Sequence, residues 1–272
     1  MKLGQIKLNG VITAAIFEDG GCRAIPGHTL LDVVNDPSLL KKADSKPVAA
    51  EPVIPITPPE VWGCGCTYQT SANFRDAEHG TREGMYAMVY NGERPEVFFK
   101  GTARHVVGPN EAIGVRSDSK FTAPEPELAL ILGPGNSIFG VTIANDVSAW
   151  DIERENALYL TQSKVYDRCC ALGPVVVTAD EIGDVHALEM TCRIMRGSEE
   201  RFSGSVSISR LHRKLETLVE YLTRANSVPP GTVLLTGTGI IVTRESALAP
   251  GDVVTIAVAG IGELSNPAAV VG

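Results

Sequence analysis

The first 54 residues alternate short apolar runs with turn signals. Apolar stretches over 4–24 are interrupted by Asn9-Gly10 and by Glu18-Asp19-Gly20-Gly21. Turn pairs of this kind between apolar runs are typical of β-hairpins. The pattern therefore predicts a small β-rich unit at the N-terminus.

A composition change follows these hairpins. Residues 29–40 have the pattern of a short helix, and the proline-rich run 43–59 indicates an extended linker. We place a boundary near residue 56. This predicts a small N-terminal domain with its linker over 1–55 and a larger domain over 56–272.

The larger domain is rich in predicted strands, so the fold class is α+β and mainly β. Short apolar runs predict strands at 96–99, 128–132, 141–144, 175–178, 189–195, 233–236 and 253–258. One amphipathic helix is predicted over 210–224, with Ser209 as its N-cap. A weaker helical pattern over 71–90, interrupted by Gly80 and Gly84, fits either a mobile lid or a plain surface helix.

Composition narrows the function classes. The 272 residues carry 24 Lys and Arg against 32 Asp and Glu, which gives a formal charge of −8. This sign argues against a nucleic-acid partner and against an anionic membrane surface. No run approaches the roughly 20 apolar residues of a membrane span. Six cysteines without zinc-site spacing, and no signal-peptide pattern, favour reduced thiols in a cytoplasmic protein.

The candidate chemistry begins with two glutamates ahead of an apolar strand. Glu125 is flanked by prolines, and a residue before proline is held in an extended conformation. Positions i and i+2 of an extended chain share a face, so Glu125 and Glu127 should lie side by side, roughly 7 Å apart. Asp146 ends the next predicted strand, and a short turn over 133–136 would return it to the pair.

Clustered carboxylates repel one another, which is relieved by a raised pKa or by a cation. Three carboxylates without His or Cys are hard oxygen ligands that suit Mg²⁺, Mn²⁺ or Ca²⁺ rather than zinc. Spacing alone leaves a second interpretation open, in which the acidic strand end is merely solvated.

Two lysines and a glycine-rich turn complete the candidate residues. Lys100 and Lys164 each fit an ordinary surface charge, but beside an acidic metal site either could bind a substrate carboxylate or act as a base with a lowered pKa. Thr236-Gly-Thr-Gly239 follows a predicted strand, and its backbone N–H groups could cradle an anion.

Several motifs follow one another in a distinctive order between residues 60 and 272. They are Glu125-x-Glu127, Asn145-Asp146-Val-Ser148, Leu172-Gly-Pro174, Thr236-Gly-Thr238, and Gly251-Asp252 followed by Gly260-Ile-Gly262. In this order they resemble the fumarylacetoacetate hydrolase superfamily. The resemblance implies a mixed β-roll catalytic domain, with Glu125, Glu127 and Asp146 as ligands of Mg²⁺, or alternatively Mn²⁺. It also implies a homodimer or homotetramer.

Four further segments resemble one dehydratase branch of that superfamily; they are 94–100, 124–128, 151–159 and 162–166. The branch implies dehydration of a 2-keto-3-deoxy pentonate, such as 2-keto-3-deoxy-D-arabinonate, to 2,5-dioxopentanoate through a metal-stabilised enolate. The implied catalytic residues are Lys164, as base, and Glu96, as acid or proton shuttle. The implied substrate-binding residues are Lys100, Thr67, Thr236 and Thr238.

One departure bears on the reaction. Hydrolases of the superfamily carry Asn-Tyr-x-x-His-x-x-Glu, whereas Ser71 and Phe74 occupy the His and Glu positions here. A missing general base typically costs about 10²–10⁴ in rate, so the dehydratase is favoured. The alternatives are an acylpyruvate or fumarylpyruvate hydrolase or an oxaloacetate decarboxylase of the same superfamily. A catalytically idle protein that binds 2-keto acids is a further one.

Overall fold

The computed structural model describes residues 1–78 and 84–272. The strands are β1 (Lys2–Leu8), β2 (Val11–Glu18), β3 (Gly21–Ile25), β4 (Val61–Gly65), β5 (Glu96–Gly101), β6 (Val106–Val107), β7 (Ile113–Arg116), β8 (Thr122–Ala123), β9 (Pro126–Leu132), β10 (Ile138–Asp146), β11 (Ser148–Ala149), β12 (Cys170–Thr178), β13 (Glu189–Arg196), β14 (Glu199–Ser207), β15 (Val233–Leu235), β16 (Asp252–Val258) and β17 (Gly262–Val271). The helices are α1 (Leu30–Asn35), α2 (Gln69–Glu78), α3 (Met85–Asn91), α4 (Trp150–Glu155), α5 (Leu160–Lys164), α6 (Ala179–Ile182) and α7 (Leu215–Thr223). All seven strands predicted in the larger domain are present.

Most strands of the described chain belong to two sheets. The larger has the order β3-β2-β1-β12-β10-β9-β15-β4-β5, with β6 beside β12. The smaller has the order β14-β13-β16-β17-β7, and β8 and β11 form a separate pair. The β-rich class predicted from the apolar pattern is therefore confirmed.

Strand β9 lies at the centre of the molecule and is buried along its whole length. Leu128, Leu130 and Leu132 pack into a core shared with the smaller sheet. Ala129 and Ile131 point the other way, into a core that includes α1. A strand covered on both faces needs an unbroken apolar run, which explains the sequence Leu-Ala-Leu-Ile-Leu.

The predicted N-terminal hairpins form, and they join the larger sheet. Strand β1 pairs with β12, with Lys2 opposite Val177 and Leu3 opposite Val176. The proline-rich stretch over 43–59 contacts these strands through isolated β-bridges, such as that between Ile6 and Pro52. The division into two domains at residue 56 stays a prediction.

The helix predicted over 210–224 begins later than expected. Its N-cap is Lys214 rather than Ser209, and the helix runs over Leu215–Thr223. Just before the helix, the Arg213 guanidinium donates to backbone carbonyls at the end of α3, among them that of Val89 at 2.9 Å. The apolar face of α7 is buried as predicted.

The weak helical pattern over 71–90 corresponds to α2 and α3. Gly84 precedes α3 with a φ of +76°, a conformation that glycine adopts without strain. Gly80 lies outside the described residues, and the mobile lid stays a prediction. Within the described part of the chain, no helix combines the length and apolar character that crossing a bilayer requires.

Candidate active site

The β9–β10 hairpin brings the three predicted metal ligands together. The turn lies over residues 133–136, and the Asp146 N–H donates to the Glu125 carbonyl oxygen at 2.9 Å. Glu125, Glu127 and Asp146 are all buried, and one carboxylate oxygen of each lies within 4.8 Å of the others. These three residues are called the triad below. Their burial rules out the alternative of a solvated strand end.

Lys164, the last residue of α5, lies between two members of the triad. Its Nζ donates to Glu125 Oε1 at 2.9 Å, to Asp146 Oδ2 at 3.0 Å and to Ser148 Oγ at 2.6 Å. Burial lowers the pKa of Lys164, but attraction to Asp146 and Glu125 outweighs it, and the pKa is raised. The lowering that we predicted depends on the charge of a bound metal ion beside Lys164, and it stays a prediction.

Lys100 is fully buried on β5 and lies on the other side of Asp146. Its Nζ is 2.5 Å from Asp146 Oδ1, and it donates to the carbonyl oxygens of Val147 at 2.9 Å and Lys164 at 2.6 Å. Two N–H groups of the ammonium thus have carbonyl acceptors, and the Asp146 carboxylate balances its charge. The predicted contact of Lys100 with a substrate carboxylate stays a prediction, while the contacts described here are with the protein itself.

The glycine-rich turn after β15 binds an anion that belongs to the protein. The Gly237 N–H donates to Glu127 Oε2 at 2.5 Å. Gly237 has a φ of +92°, and a Cβ there would overlap the Thr67 hydroxyl. The predicted anion cradle thus orients a member of the triad.

The three predicted substrate-binding threonines use their hydroxyl protons on the backbone. Thr67 donates to the Thr236 carbonyl at 2.7 Å, Thr236 to the Leu128 carbonyl at 2.8 Å, and Thr238 to the Ile240 carbonyl at 3.3 Å. A hydroxyl has one proton to donate. In this structure each proton has a backbone acceptor, and donation by these hydroxyls to substrate oxygens stays a prediction.

Glu96 lies at the start of β5, opposite Gly65 of β4. A Cβ on Gly65 would overlap Glu96 Oε2, so the glycine makes room for this carboxylate. The Cys66 thiol donates to the same oxygen at 3.6 Å. Burial raises the pKa of Glu96, and the positive charges of Arg75 and Lys164 offset this only in part.

Three residues around Glu125 were not predicted from the sequence. Arg75 of α2 donates to both Glu125 oxygens, at 3.1 and 3.2 Å, and to Glu153 Oε1 at 2.9 Å. The Trp150 indole N–H donates to Glu125 Oε1 at 2.6 Å. Burial raises the pKa of Glu125, but Lys164 and Arg75 lower it to about 2. Glu153 lies in the segment 151–159, which resembles the dehydratase branch. Its spacing from Arg75 in the sequence gives no signal that the two side chains meet.

The charges of the described site do not cancel. Three cations, Arg75, Lys100 and Lys164, lie among five carboxylates, those of Glu96, Glu153 and the triad. With all five carboxylates ionised, two negative charges would be in excess. Burial and the charges of Asp146 and Glu125 raise the pKa of Glu127 well above its ordinary value. Hard oxygen donors with this excess of charge fit a divalent cation such as Mg²⁺.

Comparison with known proteins identifies the family. The model of the fumarylacetoacetate (FAA) hydrolase C-terminal family matches residues 66–269. The chain belongs to the fumarylacetoacetate hydrolase family. The match includes the triad and Lys164, and the predicted resemblance is confirmed.

Among related family members, two are similar over most of their length. A 2-dehydro-3-deoxy-D-arabinonate dehydratase of Saccharolobus solfataricus is 47% identical over 216 residues, which cover 78% of this chain and 72% of that protein. A probable 2-keto-3-deoxyxylonate dehydratase of Haloferax volcanii is 46% identical over 213 residues, covering 78% of this chain and 73% of that protein.

A solved structure of this family extends the similarity to the whole chain. It is a 2-keto-3-deoxy-D-arabinonate dehydratase complexed with magnesium and 2,5-dioxopentanoate. It matches with a TM-score of 0.86 and 38% sequence identity, over 100% of this chain and 99% of that chain. The fold of this fumarylacetoacetate hydrolase family member, including its N-terminal strands, is therefore that of a known dehydratase structure.

Proposed function

We propose that this chain is a divalent-metal-dependent hydro-lyase. It removes water from a 2-keto-3-deoxy pentonate, such as 2-keto-3-deoxy-D-arabinonate, and forms 2,5-dioxopentanoate. The observation that carries the proposal is the buried triad with Lys164 beside it. In α2, Ser71 and Phe74 occupy the two positions where hydrolases of the superfamily carry the His and Glu that activate water. The two dehydratase relatives and the dehydratase structure support the same reaction.

In this proposal Glu125, Glu127 and Asp146 hold the metal ion. Mg²⁺ is the first choice, since a similar structure contains magnesium, and Mn²⁺ is the alternative. When bound, a divalent ion supplies Lewis acidity that makes the protons beside a 2-keto group more acidic.

The residues around the triad then perform the proton transfers. We assign removal of the C3 proton to Lys164, which lies within hydrogen-bond distance of Glu125 and Asp146. The charge of a divalent ion held by the same carboxylates would lower the pKa of Lys164 and let its neutral amine accept a proton. Glu96 acts on the C4 side, where the hydroxyl leaves as water after it receives a proton. Its carboxylate is close enough to feel the charges of Lys164 and Arg75.

Helix α2 supports elimination over hydrolysis. Ser71 is buried, and the Phe74 ring packs against Trp150 with centroids 5.6 Å apart. An apolar contact therefore stands where hydrolases of the family place the Glu that activates water. A dehydratase eliminates water and needs no water molecule as a nucleophile. Its reaction therefore does not require the His–Glu pair of the hydrolases.

The proposal is tested with a panel of substrates, with and without Mg²⁺. The purified enzyme is given 2-keto-3-deoxy-pentonates of both C4 configurations, an acylpyruvate and oxaloacetate, and the products are separated by mass. We expect 2,5-dioxopentanoate from at least one pentonate, only with a divalent ion, and none with Glu125→Gln. Release of pyruvate from the acylpyruvate, or loss of CO₂ from oxaloacetate, without any dehydration would contradict the proposal. Binding of 2-keto acids without turnover would contradict it as well.

Two further parts of the proposal concern the setting of the enzyme. We keep the predicted cytoplasmic location, which is supported by six cysteines that are all buried and unpaired. We also keep the homodimer or homotetramer that the family resemblance implies. Light scattering on the purified protein tests the second part, and a monomer at micromolar concentration would contradict it.

A further inference from the structure

Helix α2 brings a positive charge to the triad at the place where related hydrolases have their His–Glu pair. Arg75 follows Phe74 directly, and its side chain is only 6% exposed. The guanidinium lies between the face of Trp150, 5.7 Å from the ring centre, and the face of Tyr86, at 5.9 Å. The helix therefore presents a cation, rather than a base, to Glu125.

The two oxygens of Glu125 have different environments. Oε1 accepts from Trp150 at 2.6 Å, from Lys164 at 2.9 Å and from Arg75 at 3.1 Å. Among the described residues, Oε2 accepts only from Arg75, at 3.2 Å. A carboxylate oxygen has two lone pairs, so Oε1 is fully used while Oε2 retains one. Oε2 is thus the oxygen that can still bind an ion.

Arg75 is held from its other side as well. Its second terminal nitrogen donates to Glu153 Oε1 at 2.9 Å, and Glu153 Oε2 accepts from the Ser163 hydroxyl at 3.5 Å. Ser163 directly precedes Lys164 in α5. A planar guanidinium fixed at both ends sets the plane of the carboxylate that it contacts, which a single ammonium does not do.

We propose that Arg75 is a positioning residue for metal binding: it holds the Glu125 carboxylate so that Oε2 keeps a lone pair for the divalent ion. The inference rests on the proposed function only in requiring that the triad binds a divalent ion.

The sign of the effect separates positioning from charge. Arg75→Gln removes a positive charge close to the ion, which by Coulomb attraction alone would tighten Mg²⁺ binding. If orientation dominates, binding weakens. We expect about a 10-fold weaker Mg²⁺ affinity for Arg75→Gln, a value within the usual range of coupling between sites. Arg75→Lys keeps the charge but cannot contact both carboxylates, so it should also bind Mg²⁺ more weakly than the wild type.

The experiment is calorimetric titration of the metal-stripped, full-length enzyme with MgCl₂. The matched control is Arg213→Gln, which removes a half-buried guanidinium that contacts the end of α3. Arg213 holds the end of α3 through backbone carbonyls and has no hydrogen bond to Glu125 among the described residues. Its Mg²⁺ affinity should stay within about twofold of wild type. Unchanged or tighter binding by Arg75→Gln, or equal weakening by Arg213→Gln, overturns the inference.

Trp150 provides a second readout that needs no substrate. In a Trp62→Phe background Trp150 is the remaining tryptophan of the chain, and its indole N–H is bonded to Glu125. We expect Mg²⁺ to change its emission and Arg75→Gln to move the titration midpoint to higher Mg²⁺. If Arg75→Gln does not fold, as judged by circular dichroism, Glu153→Gln replaces it. That variant frees one end of Arg75 and should weaken Mg²⁺ binding about threefold; wild-type affinity would count against the inference.

The Mg²⁺-binding test of Arg75 does not depend on the proposed reaction. Weaker Mg²⁺ binding in both Arg75 variants, together with no dehydration of any pentonate, would sustain the positioning role and reject the proposed function. Dehydration by the wild type, together with unchanged Mg²⁺ binding in the variants, would support the proposed function and reject the positioning role of Arg75.

Discussion

The ammonium of Lys100 donates to the backbone carbonyl oxygen of Lys164 at 2.6 Å, so one buried lysine holds the backbone of the other. Lys100→Met leaves the Asp146 carboxylate and two carbonyls without this partner. Breaking one side of a buried ion pair costs about 3–5 kcal/mol. We expect the free energy of unfolding in urea to fall by this amount.

The control for this variant is Lys120→Met, since Lys120 is exposed. Its unfolding free energy should change by no more than about 0.5 kcal/mol. A stable Lys100→Met enzyme with a raised KM for substrate and an unchanged unfolding curve would contradict this structural role and support the predicted contact with substrate.

Gly65 is expected to be essential for the placement of Glu96. In Gly65→Ala the new methyl group must displace the Glu96 carboxylate, because the two would overlap. Removal of a proton-transfer group typically lowers kcat by about 10²-fold or more. The kcat for dehydration should fall by about this factor in Gly65→Ala and in Glu96→Gln.

The double variant separates this explanation from general damage to the strand. If Gly65→Ala acts through Glu96, the double variant should be no slower than the slower single variant, since both remove one function. Losses of kcat that multiply would show that Gly65 acts by another route.

Metal binding should appear in the stability of the protein. At 100 times its Kd, Mg²⁺ should raise the free energy of unfolding by about 2.7 kcal/mol. Glu127→Gln should abolish this gain, because Glu127 is one of the three candidate ligands. Without Mg²⁺ the same variant should be at least as stable as the wild type, since it relieves repulsion from Asp146 and Glu125.

The measurement is thermal unfolding by differential scanning fluorimetry over a series of MgCl₂ concentrations. Glu263→Gln, at an exposed position of β17, is the matched control and should keep the full Mg²⁺ effect. Equal stabilisation of Glu127→Gln and wild type by Mg²⁺ would place the ion somewhere other than the triad.

Asp252 gives a prediction about pH rather than catalysis. Its carboxylate is buried at the start of β16 and accepts from Arg196 Nε at 2.7 Å and from the Ala249 N–H at 2.8 Å. Burial raises the pKa of Asp252, but these bonds outweigh it and the pKa is lowered. Its contribution to stability is therefore present above the unfolded pKa of about 4 and is lost as pH falls through the lower, folded value.

Asp252→Asn should therefore cost about 1.5–3 kcal/mol of unfolding free energy at pH 7, as expected for bonds to a charged group. The difference from wild type should shrink as the pH is lowered through the folded pKa. Urea unfolding at pH 7 and at stepwise lower pH measures both. A difference that stays constant with pH would mean that shape, not charge, accounts for the loss.

Local sequence signals predicted much of this molecule. Turn residues such as Asn9-Gly10 marked the hairpins, and the continuous apolar run after Glu127 marked the central strand. The alternation of an extended chain placed Glu125 and Glu127 on one side, and the following short turn brought Asp146 to them. These features depend on residues close in the chain, where backbone geometry sets which side chains face the same way.

The partners of the charged and hydroxyl groups were decided by the three-dimensional fold. Arg75 meets Glu125 across 50 positions, and the Thr67 hydroxyl meets the Thr236 carbonyl across 169. Whether a lysine such as Lys100 is a surface charge, a ligand of substrate or a buried brace depends on which acceptors the packed strands bring to it. No periodicity along the chain records that choice, because a buried charge is satisfied by whichever groups burial places beside it.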